Sequence, residues 1–162
     1  MSTERPILIV DDSDDDLRLT KVLLEKTGDV GNVIALRDGD SMIEYLSGAA
    51  DLGEAGLPLL ILLDLKMPGF SGLELLEWIR EHHAFDRVAV AILSSSEEPH
   101  DVRRAGELGA QCYFGKYPPV SNAKALVAAA TEFRAGANSA HVFGVPGNLL
   151  MGRDTLPAVL GL

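Results

Sequence analysis

Two hydrophobic periodicities alternate along the first 134 residues of the chain. Short runs in which every position is apolar, such as Ile7–Val10 and residues 59–65, are typical of strands that are covered on both faces. Between these runs lie amphipathic segments with helical spacing, for example residues 72–83. The pattern predicts five strands, each followed by a helix, with the strands at residues 7–10, 32–36, 59–65, 88–93 and 111–114.

Capping residues suggest where the predicted helices begin and end. Ser13 or Asp14 is expected to cap the first helix, because short polar side chains accept hydrogen bonds from the free N–H groups of a helix start. Asp40 is expected to cap a short second helix that Gly48 closes, followed by a loop over residues 47–57.

Five strand–helix pairs imply an α/β fold, in which a parallel sheet carries helices on both faces. The chain has 162 residues, of which 47% are hydrophobic and 23% charged, enough for one domain with an ordinary core. Residues 135–162 keep no periodicity and are too short for a core of their own. We therefore expect one domain over residues 1–134 and a C-terminal tail over residues 135–162.

Charge and composition exclude several classes of function. The formal net charge of −10 opposes binding to nucleic acids and to anionic membranes. The single cysteine, Cys112, excludes an intrachain disulfide and a multi-cysteine zinc site. Because no secretory signal and no long apolar span is evident, we expect a cytoplasmic protein.

Polar residues follow four of the predicted strands. Asp11 and Asp12 come directly after the first strand, and Asp64 lies at the end of the third. Ser94 follows the fourth strand and Lys116 follows the fifth. Because ligands bind at the carboxyl ends of the strands in an open parallel sheet, we expect these five side chains to converge at one edge.

This set of side chains suits chemistry on a phosphoryl group. Clustered carboxylates repel one another unless a cation lies between them, and hard oxygen ligands favour Mg²⁺ or Mn²⁺. A lysine and a serine can bind phosphoryl oxygens by charge and by hydrogen bonding. The residues therefore favour an aspartyl phosphate, formed by nucleophilic attack of a carboxylate.

The sequence resembles the receiver domains of response regulators in bacterial two-component systems. The similarity covers roughly residues 6–134, and its motifs are Val10-Asp11-Asp12, Leu63-Asp64-Leu65-Lys66-Met67-Pro68-Gly69, and Cys112-Tyr113-Phe114-Gly115-Lys116. It implies a flavodoxin-like, doubly wound sheet with strand order 2-1-3-4-5. It also implies a signalling protein that catalyses only its own phosphorylation and dephosphorylation, not an enzyme.

The resemblance assigns roles to individual residues. Asp64 would be the phosphoacceptor, and Lys116 would contact the phosphoryl group. Asp12 would ligate Mg²⁺ directly, and Asp11 would ligate it through water. Asp64 and the backbone carbonyl of Lys66 would complete the protein ligands. Mn²⁺ is an alternative cation.

The resemblance further implies a switch, and it exposes one departure from the family pattern and one variable position. Ser94 would move toward the phosphate, and the rotamer of Tyr113 would follow it. Tyr117 stands where proline usually follows the lysine, so the sequence leaves open whether that peptide bond is cis. Family members differ two residues after the acceptor, where Lys66 lies, and we hypothesise that Lys66 hinders the attacking water and prolongs the phosphorylated state.

The implied partners are proteins. The phosphoryl donor would be a phosphohistidine on a sensor histidine kinase or on a histidine phosphotransfer protein, and the output would be contact with a downstream protein, without nucleic acid or membrane. A homodimer, formed through the tail, is left open. The long connection after the second helix and residues 94–98 are similar to single-domain receivers paired with phytochrome-type sensor kinases.

Two other functions, and a purely structural interpretation of the helix-start acids, compete with this assignment. A phosphatase of the haloacid-dehalogenase type expects a second acid where Lys66 stands, and a degenerate receiver acting as a phosphorylation-independent binding module is favoured only by Tyr117. Asp14, Asp15 and Asp16 are interpreted as a solvated helix start, because acids are favourable in the first turn of a helix.

Overall fold

The computed structural model describes residues 5–28, 30–96 and 98–135 of the chain. Apart from Ala135, the expected tail lies outside these residues. The strands are β1 Ile7–Val10, β2 Val33–Leu36, β3 Leu60–Leu63, β4 Ala89–Ser94 and β5 Cys112–Gly115. The helices are α1 Asp14–Glu25, α2 Gly39–Asp51, α3 Gly72–Glu81, α4 Pro99–Glu107 and α5 Val120–Arg134, with short 3₁₀ helices at Glu54–Gly56 and His83–Phe85.

The five strands form one parallel sheet in the order β2-β1-β3-β4-β5, which confirms the predicted fold. The order reverses between β1 and β3, and Val10 pairs in register with Leu63 at the carboxyl ends of these strands. Residues 11 and 64 therefore leave the sheet side by side. This is the crevice where open α/β sheets bind their ligands.

The core has two layers, one on each face of the sheet. Alternate strand residues point to opposite faces, so Leu8 and Ile61 belong to one layer while Ile7 and Leu60 belong to the other. Helices α2, α3 and α4 cover the first layer, and α1 and α5 cover the second. Burial of both faces explains why the strands appear in the sequence as unbroken apolar runs.

The second helix differs from its prediction at both ends. Asp38, not Asp40, caps it, and its carboxylate accepts a hydrogen bond from the Ser41 N–H at 2.8 Å. The helix continues through Gly48 to Asp51 because Ala49 is buried against the core. Burial there outweighs the cost of about 1 kcal/mol that glycine imposes inside a helix.

The start of α1 decides between the two predicted caps. Ser13 is the capping residue, and its hydroxyl oxygen accepts a hydrogen bond from the Asp16 N–H at 3.3 Å.

Within the described ranges, no helix has both the length and the apolar content to cross a membrane.

Candidate functional site

Three carboxylates meet at the carboxyl ends of β1 and β3. Asp11, Asp12 and Asp64 each offer an oxygen, and these oxygens all lie within 4.8 Å of one another. Asp11 and Asp64 are buried, whereas Asp12 is exposed. The arrangement follows from the register of the two strands, since both end at the same level of the sheet.

The ammonium of Lys116 lies beside these carboxylates. Its Nζ is 2.7 Å from Oδ2 of Asp11 and 3.6 Å from Oδ1 of Asp64, and the side chain is only 7% exposed. The main chain is held by a hydrogen bond from the Lys116 N–H to the Ser94 carbonyl at 3.1 Å. The end of β4 thus positions the lysine that follows β5.

The surroundings of Asp64 disfavour its negative charge. Burial raises the pKa of the Asp64 carboxyl to about 6; Lys116 opposes this shift, and the charges of Asp11 and Asp12 reinforce it. For Lys116, burial disfavours the ammonium, but hydrogen bonds to Asp11 and Asp16 outweigh it and raise the pKa. The single positive charge of Lys116 does not balance the negative charges of Asp11, Asp12 and Asp64. The oxygen atoms of these three carboxylates are ligands that fit a divalent cation such as Mg²⁺ or Mn²⁺.

The two residues assigned to the switch are both buried and are linked through Ser96. The Tyr113 hydroxyl donates a hydrogen bond to the Ser96 carbonyl at 2.8 Å. The N–H of Ser96 in turn donates to Oγ of Ser94 at 3.1 Å. A movement of the Ser94 hydroxyl would therefore change the hydrogen bonding of Tyr113 through one intervening residue, Ser96.

Lys66 contacts the start of α4. Its Nζ is 3.5 Å from Oδ2 of Asp101, an oxygen that also accepts a hydrogen bond from the Ser96 hydroxyl at 2.7 Å. The Lys66 side chain is largely exposed, whereas that of Asp101 is only 12% exposed. The sequence pattern does not single out Asp101. The role of the Lys66 backbone carbonyl as a metal ligand stays a prediction.

Asp16 lies in the first turn of α1, as interpreted, but the interpretation that its carboxylate is merely solvated is wrong. Its Oδ2 lies 2.9 Å from Nζ of Lys116, and its Oδ1 accepts a hydrogen bond from the Tyr117 hydroxyl. Both hydrogen bonds lower the pKa of Asp16, that of Tyr117 more strongly. The peptide bond between Lys116 and Tyr117, left open by the sequence, is cis.

Comparison with known protein families agrees with this geometry. Residues 7–130 match the family described as the response regulator receiver domain. The chain belongs to this family. The matched region includes all five strands and most of α5.

Three relatives with solved structures are similar over most of the receiver. Response regulator Rcp1 of Synechocystis is 34% identical over 110 residues, which are 68% of this chain and 75% of Rcp1. The Mn²⁺-bound form of Rcp1 superposes with a TM-score of 0.62 at 31% identity, over 80% of this chain and 93% of that chain.

The other two relatives are phytochrome response regulators. The phosphorylated cyanobacterial protein RcpA gives a TM-score of 0.64 at 30% identity, over 82% of this chain and 94% of its own. The bacteriophytochrome response regulator AtBRR gives a TM-score of 0.65 at 32% identity, over 90% of this chain and 98% of its own. The similarity to phytochrome-associated receivers therefore extends from sequence to structure.

Proposed function

We propose that this receiver accepts a phosphoryl group on Asp64 and signals through altered contacts with other proteins. The protein acts in the cytoplasm, and the donor is a phosphohistidine on a sensor histidine kinase or a histidine phosphotransfer protein. The observation that carries the proposal is the convergence of Asp11, Asp12, Asp64 and Lys116 at the crevice between β1 and β3. We assign this function to the receiver domain, residues 1–134, and regard residues 135–162 as a C-terminal tail without a separate domain.

In the proposed reaction, a carboxylate oxygen of Asp64 forms a bond to phosphorus. The P–N bond to the donor histidine breaks at the same time, and the imidazole nitrogen keeps the electron pair and is then protonated. The product is an acyl phosphate on Asp64. Later attack of water on phosphorus releases inorganic phosphate and restores the carboxylate.

Lys116 contributes a positive charge beside the reacting oxygen. Its ammonium lies 3.6 Å from Oδ1 of Asp64, close enough to donate to an oxygen of a phosphoryl group carried there. We propose that Mg²⁺ or Mn²⁺ is held by Asp12 directly, by Asp11 through water, and by Asp64 and the Lys66 carbonyl. When bound, the cation would neutralise charge on the carboxylates and on the phosphoryl oxygens.

The proposed output starts at Ser94. Attraction of its hydroxyl to the phosphoryl group would break its hydrogen bond from the Ser96 N–H. Ser96 is also bonded to Tyr113 and to Asp101 in the first turn of α4. A local change of charge would therefore alter the surface formed by α4, β5 and α5, which a protein partner could detect. The net charge of −10 favours a protein partner over a nucleic acid.

The proposal is tested by incubating the protein with Mg²⁺ and acetyl phosphate and measuring its intact mass. One added phosphoryl group is expected, and Asp64→Asn should abolish it. Asp51→Asn is a matched control, because Asp51 is an exposed carboxylate at the end of α2 and should not affect labelling. Absence of labelling would favour the phosphorylation-independent binding module. Continuous release of phosphate from many phosphate esters would favour the phosphatase.

A further inference from the structure

Asp16 joins two residues that follow β5. One of its oxygens contacts the buried ammonium of Lys116 at 2.9 Å, and the other accepts a hydrogen bond from the Tyr117 hydroxyl. The Asp16 side chain is 30% exposed, whereas that of Lys116 is 7% exposed. The carboxylate thus lies at the rim of the site and reaches inward to the lysine.

The carboxylate of Asp11 and the main chain of Asp16 are both hydrogen-bonded to Ser13. The Ser13 N–H donates to Oδ1 of Asp11 at 3.0 Å, and the Ser13 hydroxyl oxygen accepts from the Asp16 N–H at 3.3 Å. The capped start of α1 therefore fixes the Asp11 carboxylate and the main chain of Asp16 beside Lys116, and the Tyr117 hydroxyl holds the Asp16 carboxylate. An ammonium has three protons to donate, so two anchors leave one directed elsewhere. Among the described residues, the third carboxylate near this ammonium is that of Asp64, at 3.6 Å.

The other acids of this turn have different partners. Asp14 pairs with Arg37 at 2.9 Å and Asp15 with Arg18 at 3.5 Å, and all four side chains are more than half exposed. Exposed pairs of this kind contribute little. Among the three acids of the turn, Asp16 alone contacts the phosphoacceptor site in the described structure.

We propose that Asp16 is a positioning residue for Lys116, which it holds so that the ammonium presents its free donor to a phosphoryl group on Asp64. The inference rests on the proposed function and deepens it. Without Asp16, the ammonium is shared only by Asp11 and Asp64. It then moves between the carboxylates that bind the cation, and it loses its defined position toward the phosphoryl oxygen.

The test compares Asp16→Asn with Asp15→Asn, which removes the same charge from the same helical turn. Phosphorylation by acetyl phosphate is followed by intact mass in saturating Mg²⁺, and Mn²⁺ affinity is measured by electron paramagnetic resonance. We expect Asp16→Asn to slow phosphorylation by about tenfold, the worth of one charge-assisted hydrogen bond. Mn²⁺ affinity should fall by about threefold or more, because the ammonium then repels the cation at closer range. Asp15→Asn should change both by less than about twofold.

Two further variants separate positioning from a general structural effect. In a Lys116→Ala background, Asp16→Asn should cause no additional slowing, because its effect passes through the lysine. Tyr117→Phe keeps every charge and should slow phosphorylation by about twofold, with no added effect once Asp16 is changed. Denaturation curves of each variant report whether the fold is retained.

Equal rates and equal Mn²⁺ affinities for Asp16→Asn and Asp15→Asn would overturn the inference. An additive loss in the Lys116→Ala background would overturn it too. If the wild type takes no phosphoryl group, the proposed function fails, and the Mn²⁺ affinities still decide whether Asp16 controls the lysine.

Discussion

Gly72 lies directly behind the main chain of Asp64. A Cβ added to Gly72 would be 2.3 Å from the Asp64 carbonyl oxygen and 2.8 Å from the α-carbon of Leu65. The Gly72 N–H also donates to the Leu65 carbonyl at 3.1 Å. The first turn of α3 therefore packs against the segment that carries the proposed phosphoacceptor, and only glycine allows this approach.

Gly72→Ala is expected to destabilise the protein by roughly 1–3 kcal/mol, because a methyl group would displace backbone that cannot yield as a side chain would. The control is Gly48→Ala in α2, where an added Cβ meets nothing within 4 Å. That change should stabilise the protein by up to about 1 kcal/mol, since alanine is the better helix former. Urea denaturation measures both; a stabilising Gly72→Ala would contradict the close packing behind Asp64.

Asp64→Asn should stabilise the protein at neutral pH when divalent cations are removed. The folded-state pKa of about 6 lies above the ordinary 3.8, so this group favours the folded state most below about pH 4. The contribution is lost as pH rises through about 6, and above that the buried charge costs roughly 1–3 kcal/mol, which asparagine avoids.

Urea denaturation with a chelator, at about pH 7.5 and about pH 5, measures this effect through linkage between protonation and folding. The advantage of Asp64→Asn should shrink at the lower pH, and added Mg²⁺ should reduce it at the higher pH by stabilising the wild type. Asp15→Asn is the control with an exposed carboxylate. A gain that does not depend on pH would show that ionisation of Asp64 is not its source.

Arg80 links α3 to the segments that precede β4 and β5 through four hydrogen bonds. Its guanidinium donates to the carbonyls of Gly109, Phe85 and Val88 at 3.1–3.2 Å, and to Oε1 of Gln111 at 2.8 Å. Burial lowers the pKa of Arg80 to about 10. Arg80→Lys keeps a cation but cannot supply the planar fork, so buried acceptors lose their donors.

We expect Arg80→Lys to lower the free energy of unfolding by about 2–4 kcal/mol, measured by chemical denaturation. Arg18→Lys provides the comparison, because Arg18 is 74% exposed in an ion pair with Asp15 and should change stability by less than about 0.5 kcal/mol. Equal effects of the two substitutions would mean that the four bonds contribute no net stability.

The site could be predicted wherever a functional residue directly follows a buried strand. Asp11 and Asp64 come after unbroken apolar runs, and parallel strands place their carboxyl ends at one edge. Asp16 could not be found this way, because Asp14, Asp15 and Asp16 carry the same local signal of a helix start. Asp16 is distinguished from Asp14 and Asp15 only by its contact with Lys116, which is 100 positions away in the sequence.

The start of α2 shows the same limit. Asp38 and Asp40 are both suitable caps, and local sequence does not choose between them. Tertiary packing does, because a Cβ on Gly39 would come within 2.8 Å of Phe70 and Leu75. Helix α2 begins at Gly39, which packs against Phe70 in the loop after β3. This contact joins segments that are distant in the sequence.

Lys66 provides a test of the lifetime of the phosphorylated state. Its ammonium is held 3.5 Å from Asp101, whose carboxylate is fixed in turn by the Ser96 hydroxyl at 2.7 Å. If this pairing keeps the lysine over the acceptor segment, the lysine hinders water from reaching phosphorus. Lys66→Asn should then lose phosphate about threefold faster than the wild type, which corresponds to a barrier lower by about 0.7 kcal/mol.

The measurement is the decay of the phosphorylated mass after acetyl phosphate is removed in the presence of Mg²⁺. Lys21→Asn is the control, because Lys21 is an exposed lysine of α1 and its loss changes net charge equally. Its decay should match that of the wild type. Decay of Lys66→Asn at the wild-type rate or more slowly would mean that the side chain does not obstruct water, and that its contact with Asp101 serves α4 alone.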